Sequence, residues 1–308
     1  MRESTKSWLL ASAALIVLGG VTFTATACAI GWDFSKFSTV TLETNTYSIG
    51  EDFNNISMDV HTANVALLPS ENGECKVVCY EDVNLMHSIS VENGTLTIQE
   101  NDKRAWYDYL NVGAGDSPTV TVYLPKAEYA DLAIDISTGD ISIPNNFTFN
   151  SVDILGRTGD VTCSTAVSTA LSIKLSTGDI TLSETTADSA SLTVSTGDIT
   201  MNSVMIANTL TIKSTTGAVS MNNISCKNFT RKSDSGDLEM KNVLITEKMH
   251  IEQSTGDVEF DHCEAAEIYI KTSTGDIEGS FLTVKVFPSE TCNIITSTGD
   301  IEITVAND

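Results

Sequence analysis

Ser137-Thr138-Gly139-Asp140-Ile141 is the first copy of a pentapeptide that returns, whole or slightly altered, to the C-terminal end of the chain. Its aspartate recurs as Asp140, Asp160, Asp179, Asp198, Asp237, Asp257, Asp276 and Asp300, with Ala218 standing where one more is due. Counting Ala218, the steps are 20, 19, 19, 20, 19, 20, 19 and 24 residues. A fixed period near 20 marks a solenoid, in which each repeat buries its apolar face only by stacking on its neighbours.

With the Asp taken as position zero, apolar residues recur at minus eight and minus six, as in Leu132/Ile134, Leu171/Ile173 and Leu210/Ile212. They recur at plus one and plus three, as in Ile141/Ile143, Ile180/Leu182 and Ile199/Met201, and at plus six as Val204, Ile224 and Val243. Each set alternates with polar residues, the period of a strand with one buried face. The parity slips at Ser-Thr-Gly-Asp and again between plus three and plus six. Three short strands with turns between them therefore make one coil. The expected fold is all-β: a β-solenoid, or single-stranded β-helix, of about ten coils running roughly 45 Å at ~4.8 Å per coil. Right-handed winding follows from the preference of parallel crossovers. Glycine suits a corner that needs positive φ. Thr and Asp side chains can close such a corner by hydrogen bonding to their own backbone.

The register also places four of the seven cysteines. Cys163 at plus three, Cys263 at plus six, Cys226 at plus eight and Cys292 at minus eight all hold apolar slots, and read as buried small hydrophobes. Cys75 and Cys79, four apart on one strand face, are ~13 Å from each other, too far to form a disulfide.

In-register stacking would align the aspartates in a column with carboxylates ~5 Å apart, repelling by about 1 kcal/mol per pair in water. Such a column could attract Ca²⁺. The interruption at Ala218 instead favours a separate turn-forming role for each Asp, and the period is far from that of nonapeptide Ca²⁺ repeats. No metal and no cofactor are expected. His250 at minus seven and His262 at plus five fall on different faces of a coil, and His61 and His87 stand alone in the sequence.

Ahead of the repeats, Trp8 to Ile30 is an uncharged run of 23 residues, long enough to span a bilayer. Arg2 and Lys6 precede it and an acidic chain follows, which predicts a cytoplasmic segment 1–7, a transmembrane anchor 8–30 and an external C-terminal body. Ala25-Thr26-Ala27 also fits a signal-peptide cleavage site, and Ala27-Cys28 a loose lipoprotein pattern. All three readings export the body.

Residues 31–130 read as irregular β structure. Asn93-Gly94 marks a hairpin turn. Asp59 to Leu67 aligns with Asp135 to Ile143, with Asn64 in the Asp place, and reads as a degenerate first rung in a cap over the open end of the solenoid 131–308. Trp106, Tyr107 and Tyr109 form the most aromatic stretch. They are either an exposed partner-binding loop or rings covering the core end, and packing is the commoner use of such rings.

The net charge of -24 and only four arginines argue against nucleic acid and anionic headgroups as partners. No nucleophile elbow, zincin or phosphate-loop motif is present, so no nucleotide is expected. A catalytic site should break the repeat at one place. The one irregularity is the long last step, Phe281 to Cys292, and the chain reads as a non-enzyme.

The anchor followed by Gly31-Trp-Asp-Phe-Ser-Lys-Phe37, then Cys75-Lys-Val-Val-Cys-Tyr-Glu81, Thr121-Val-Tyr-Leu-Pro-Lys126 and the Ser-Thr-Gly-Asp-Ile repeats, resembles the bacterial "putative adhesin" domain-of-unknown-function family of β-strand-repeat proteins. The resemblance covers nearly the whole chain. It implies a membrane-tethered solenoid of the bacterial envelope, and it carries no catalytic residues. The function expected is a single-pass, extracytoplasmic binding or scaffolding module contacting an envelope protein or polymer. The alternatives are a sensory or regulatory component of an envelope-stress response and an envelope-polysaccharide enzyme.

Overall fold

The computed structural model describes residues 3–29, 31–32, 41–103, 117–282 and 292–305. The chain begins with one helix, α1 (Glu3–Ala29). Its segment Ala11–Ala29 is long and apolar enough to cross a membrane. Leu15, Ile16, Val17, Leu18, Val21 and Phe23 are all exposed, so no single stripe is reserved for a protein core. The hydroxyls of Thr22, Thr24 and Thr26 donate to carbonyls one turn back, which pairs these polar groups inside the helix.

Among the described residues, every regular element after the helix is a β-strand. The rungs of the solenoid stack in parallel and in register. Glu128–Thr138, Thr148–Thr158, Ala166–Thr177 and Thr186–Thr196 form the first face of successive coils. Ile141–Ile143, Val161–Cys163 and Ile180–Ser183 form the next face. Register turns each repeated position into a column. Ile134, Ile154, Ile173, Leu192 and Ile212 lie side by side along the core. All five are buried, and the same core runs on through Phe281.

The nine corners from Asp140 to Asp300 enclose about eight complete turns, fewer than the ten coils expected. One part of the difference is that nine corners close only eight turns; the other lies at the N-terminal end. The rung containing Asn64 does stack on the first corner, but it is separated from it in the chain by non-repeating strands. The mid-stack coils also differ from three short strands. Ile199–Thr216, Val219–Ser235 and Leu238–Thr255 run through their second corner without a break in pairing. That corner is at plus five, where Glu184, Ser203, Asn223, Asn242 and His262 have φ of 51, 54, 58, 54 and 54°. One left-handed residue there shifts the parity by one, which is the second slip in the pattern. Asn is among the residues that tolerate this conformation best.

The N-terminal cap contains β1 (Leu42–Ile49), β2 (Asn55–Thr62), β3 (Asn64–Pro69), β4 (Cys75–Asp82), β5 (Leu85–Glu92), β6 (Thr95–Asp102) and β7 (Thr119–Leu124). β2 pairs in parallel with Glu128–Thr138 on one side and with β6 on the other. β3 likewise pairs with Ile141–Ile143 and β7. Beyond that rung the pairing becomes antiparallel: β5 with β6, β4 with β7, and β1 with β4. Antiparallel hairpins thus occupy an end that would otherwise offer a bare parallel edge to further chains. Asn93 and Gly94, with φ of 51 and 74°, make the tight turn between β5 and β6.

The core adapts where side chains are unusual. Phe260 in one coil stands beside Gly279 in the next. A Cβ on Gly279 would fall on the Phe260 carbonyl and ring, so a large residue below is matched by the smallest above. Arg231 is the larger surprise. It sits at minus six between Ile212 and Ile251, and it is fully buried.

Candidate functional site

The corner column is built from backbone amides that point alternately forward and back along the stack. At one rung, Gly159 and Val161 donate forward to the carbonyls of Thr177 and Asp179 at 3.0 and 2.9 Å. The amide of Asp179 points back, and the Oδ1 of Asp160 accepts it at 2.8 Å. The same link joins Asp140 to Asp160, Asp179 to Asp198, Asp237 to Asp257, Asp257 to Asp276 and Asp276 to Asp300, at 2.8–2.9 Å. Asn64 does the same for Asp140 at 2.9 Å, so its side-chain carbonyl fills the Asp role in the degenerate rung. The carboxylates therefore accept from the next rung's amide rather than from their own corner. They clip coil to coil.

Glycine is required beside them for a reason beyond its φ. At Gly159, φ is +132°, and an added Cβ would fall on the Gly139 carbonyl, well inside van der Waals contact. The corners stack backbone on backbone with no room for a side chain.

Behind the corners, the minus-four position changes character along the stack. Ile136, Leu175 and Val194 are apolar, whereas Ser214, Ser233, Gln253 and Thr272 are buried and polar. Thr272 donates to the Gly256 carbonyl at 3.3 Å, and Thr296 to that of Gly275 at 2.9 Å. Arg231 joins this polar lining. It donates to the carbonyls of Gly236 at 3.0 Å and Asp237 at 3.3 Å and to the side chain of Gln253. Burial lowers its pKa to about 10, opposed by the nearby Asp237 charge. Arg231 is thus a framework residue and is not available to a ligand on the surface.

Two exposed columns carry opposite charge. At plus two, Glu239, Glu259, Glu278 and Glu302 are direct neighbours on successive coils. At minus five, on another face, the column reads Lys174, Thr193, Lys213, Lys232, Glu252 and Lys271. Lys232 pairs with Glu252 at 3.1 Å, and that contact lowers the pKa of Glu252. His250 stacks on Tyr269 on the same face, with ring centroids 4.6 Å apart. Both columns follow from the counting that finds the core, applied to the outward positions.

His262 is the left-handed residue of its corner and bonds its neighbour Asp261 at 2.6 Å. Trp106, Tyr107 and Tyr109 lie outside the described residues. Cys163, Cys226 and Cys263 are buried, and Cys292 packs partly buried against the core. Burial pushes the first two thiols up to about 12 and that of Cys263 to about 11. His61 and His87 do not stand alone: both reach the buried carboxylate of Glu100.

These features define a β-solenoid repeat protein with a strand cap at one end and an apolar helix ahead of it. A family model described as Toastrack DUF4097 matches residues 53–208 and again 184–308, and the chain belongs to that family. Among solved structures, the chain is similar to a "putative adhesin" from Parabacteroides merdae, at 14% identity and a TM-score of 0.49, over 87% of this chain and 98% of that one. A "putative adhesin" from Bacteroides fragilis gives 15% identity and a TM-score of 0.45, over 86% and 97%. A "putative lipid binding protein" from Parabacteroides distasonis gives 17% and 0.45, over 88% and 98%. No curated protein matches the chain significantly.

Proposed function

We propose that this chain is a membrane-tethered binding or scaffolding module of the bacterial cell envelope, with its solenoid held outside the membrane on α1. The observation that carries this reading is the pair of exposed columns of opposite charge, Lys174 to Lys271 on one face and Glu239 to Glu302 on another. Stacked rungs hold each charge at a fixed spacing of ~4.8 Å along a stiff body. Such a surface reads another extended surface, protein or polymer, through complementary charge. The helix Ala11–Ala29 supports the tether. In this reading the solenoid's exposed carboxylates serve the repeat rather than a reaction, and the chain is not an enzyme.

The Asp column belongs to the framework in the same reading, since its Oδ1 atoms already hold amides. Heat on titration with millimolar Ca²⁺, with a rise in melting temperature abolished by Asp179→Asn, would move it to a ligand role.

The test is crosslinking in intact cells with the full-length protein, alongside a triple variant Lys213→Gln, Lys232→Gln and Lys271→Gln and a second variant with Glu239, Glu259 and Glu278 changed to Gln. Reproducible capture of a surface protein or wall polymer, weakened by one set and sensitive to salt, supports the proposal. Unchanged capture in both, or turnover of an envelope glycan abolished by a single carboxylate change, overturns it.

A further inference from the structure

The cap holds a cluster of chemistry that the repeat does not explain. β4 supplies Cys79 and Glu81 from one face, β5 supplies His87, β6 supplies Glu100, and the end of β2 supplies His61. The side chains of Glu81, His87 and Glu100 are each 0–1% exposed. One ligand atom each from Cys79, Glu81 and His87 lies within 4.8 Å of the others. Nδ1 of His87 faces Glu81 Oε2 at 2.6 Å, and Nε2 faces Glu100 Oε2 at 3.8 Å.

A purely structural reading makes this a buried ion-pair triad, with an imidazolium between two glutamates. The hydrogen bonds do not close on that reading. Glu81 is satisfied, by the His87 amide at 2.7 Å on Oε2 and Asn45 at 2.8 Å on Oε1. Glu100 Oε2 takes the amides of His61 and Thr62, both at 3.1 Å. But His87 Nε2 is buried without a hydrogen-bond partner, and Glu100 Oε1 makes no hydrogen bond, with the largely exposed His61 Nδ1 near it at 3.3 Å. A cationic His87 would be expected to close the 3.8 Å gap to Glu100.

We propose that Cys79, Glu81 and His87 form a binding site for a thiophilic divalent metal ion of the Zn²⁺ class. One sulfur, one imidazole nitrogen and one carboxylate oxygen are a donor set that selects such an ion over Ca²⁺ or Mg²⁺. The thiolate and the Glu81 carboxylate balance the ion's two charges. Nδ1 of His87, hydrogen-bonded to Glu81 Oε2 at 2.6 Å, is the ring atom on the ligand side, and the ion would take the place of the proton those two atoms share. Nε2–H then points at Glu100, the carboxylate that commonly orients a metal-bound histidine, and Glu100 is itself fixed by two backbone amides. His61, with its side chain 56% exposed, stands at the solvent edge of the cluster and marks the way in. The bound ion ties β4 to β5, and through Glu100 to β6, so it secures the hairpins that cap the first rung.

The experiment uses the full chain in detergent, stripped with chelator and dialysed, with Zn²⁺ as the probe in competition with a chromophoric chelator and Co²⁺ as the spectroscopic probe. One Zn²⁺ per chain, a raised cap melting transition and a thiolate-to-cobalt charge-transfer band are expected. Cys79→Ser should abolish the band and weaken Zn²⁺ binding by more than ~100-fold, while Glu100→Gln weakens it ~10–100-fold, the range for a second-layer partner. Cys75→Ser, on the same strand but outside the cluster, should leave both unchanged. No stoichiometric Zn²⁺ on the folded wild-type chain, or full retention of binding and band in Cys79→Ser, overturns the site. If His87→Gln fails to fold, the comparison of Cys79→Ser with Cys75→Ser still decides it.

Discussion

Asp198 Oδ1 accepts the amide of Ala218 at 2.8 Å, but Ala218 carries only a methyl group and has no carboxylate to hold the amide of Asp237 on the next rung. The column of clips is broken at that one step. From the inner side of the corner, the Arg231 guanidinium donates to the carbonyls of Gly236 and Asp237. The rung that lacks an outer carboxylate beneath it is therefore the rung that holds a buried arginine behind its corner.

Restoring the clip with Ala218→Asp should be salt-dependent in a defined direction. The new hydrogen bond contributes about 1 kcal/mol at an exposed corner. Against it stand two new carboxylate neighbours ~5 Å away, each repelling by somewhat under 1 kcal/mol in water. At low ionic strength the two repulsions together, roughly 1.7 kcal/mol, outweigh the hydrogen bond. At 1 M salt the screening length falls to ~3 Å and the hydrogen bond remains. The denaturation midpoint of Ala218→Asp should thus fall below wild type at low salt and exceed it at high salt, and Asp179→Ala should lose about 1 kcal/mol at high salt.

Arg231 and Gln253 should behave as one unit. Arg231→Met restores an apolar residue to the isoleucine column but leaves Gln253 Oε1 and the Gly236 carbonyl without their donor, at a cost of about 1–3 kcal/mol. Adding Gln253→Leu, the residue type found at minus four in Leu175, removes the stranded oxygen, and the Gly256 carbonyl that loses Gln253 Nε2 keeps the Thr272 hydroxyl. The double variant should be less destabilised than the sum of the singles by at least ~1 kcal/mol, read from a double-mutant cycle in urea. Strict additivity would show that the two side chains do not share an interaction.

The period, the corner, the core columns and the first rung at Asn64 are all legible in the sequence because each position is seen nine or ten times over. Three things are not read from it, for different physical reasons. The direction in which an amide points along the stack cannot be counted from sequence, so Asp160 is assigned to its own corner rather than to the amide of Asp179. Arg231 is countable: its minus-six place puts it among isoleucines, and only its charge suggests the surface. The meeting of Cys79, Glu81, His87 and Glu100 depends on antiparallel hairpins that occur once, so no periodic signal could bring those residues together.

Cys163 should make stability fall at alkaline pH. Desolvation raises its thiol to about 12, above the ~8.5 of an unfolded chain, with a smaller opposing effect from the Thr165 amide. A raised folded-state value means the stabilisation is complete below the unfolded pKa and is lost as pH climbs toward the folded one. Between about pH 9 and 12 the wild type should lose up to ~1.4 kcal/mol per pH unit through this group alone. Cys163→Val, which suits the apolar slot at plus three, should show a shallower loss over that window. Identical pH profiles for the two proteins would show that the thiol is not desolvated as the structure requires.

Two glycines with positive φ should respond very differently to alanine. Gly197 has φ +142°, and its added methyl would fall on the Gly178 carbonyl of the preceding coil. Two amide bonds to the next rung, Gly178 to Thr196 and Ile180 to Asp198, flank that carbonyl and fix it, so it cannot move aside without breaking them. Strain and overlap together should cost at least ~3 kcal/mol in Gly197→Ala. Gly94, at φ +74° in the β5–β6 turn, has open space where the methyl would go. Only the left-handed backbone penalty of about 1–2 kcal/mol applies there. Thermal and urea melts of the two variants should therefore separate by more than ~1 kcal/mol, and equal losses would mean that close stacking of the corners contributes nothing beyond φ.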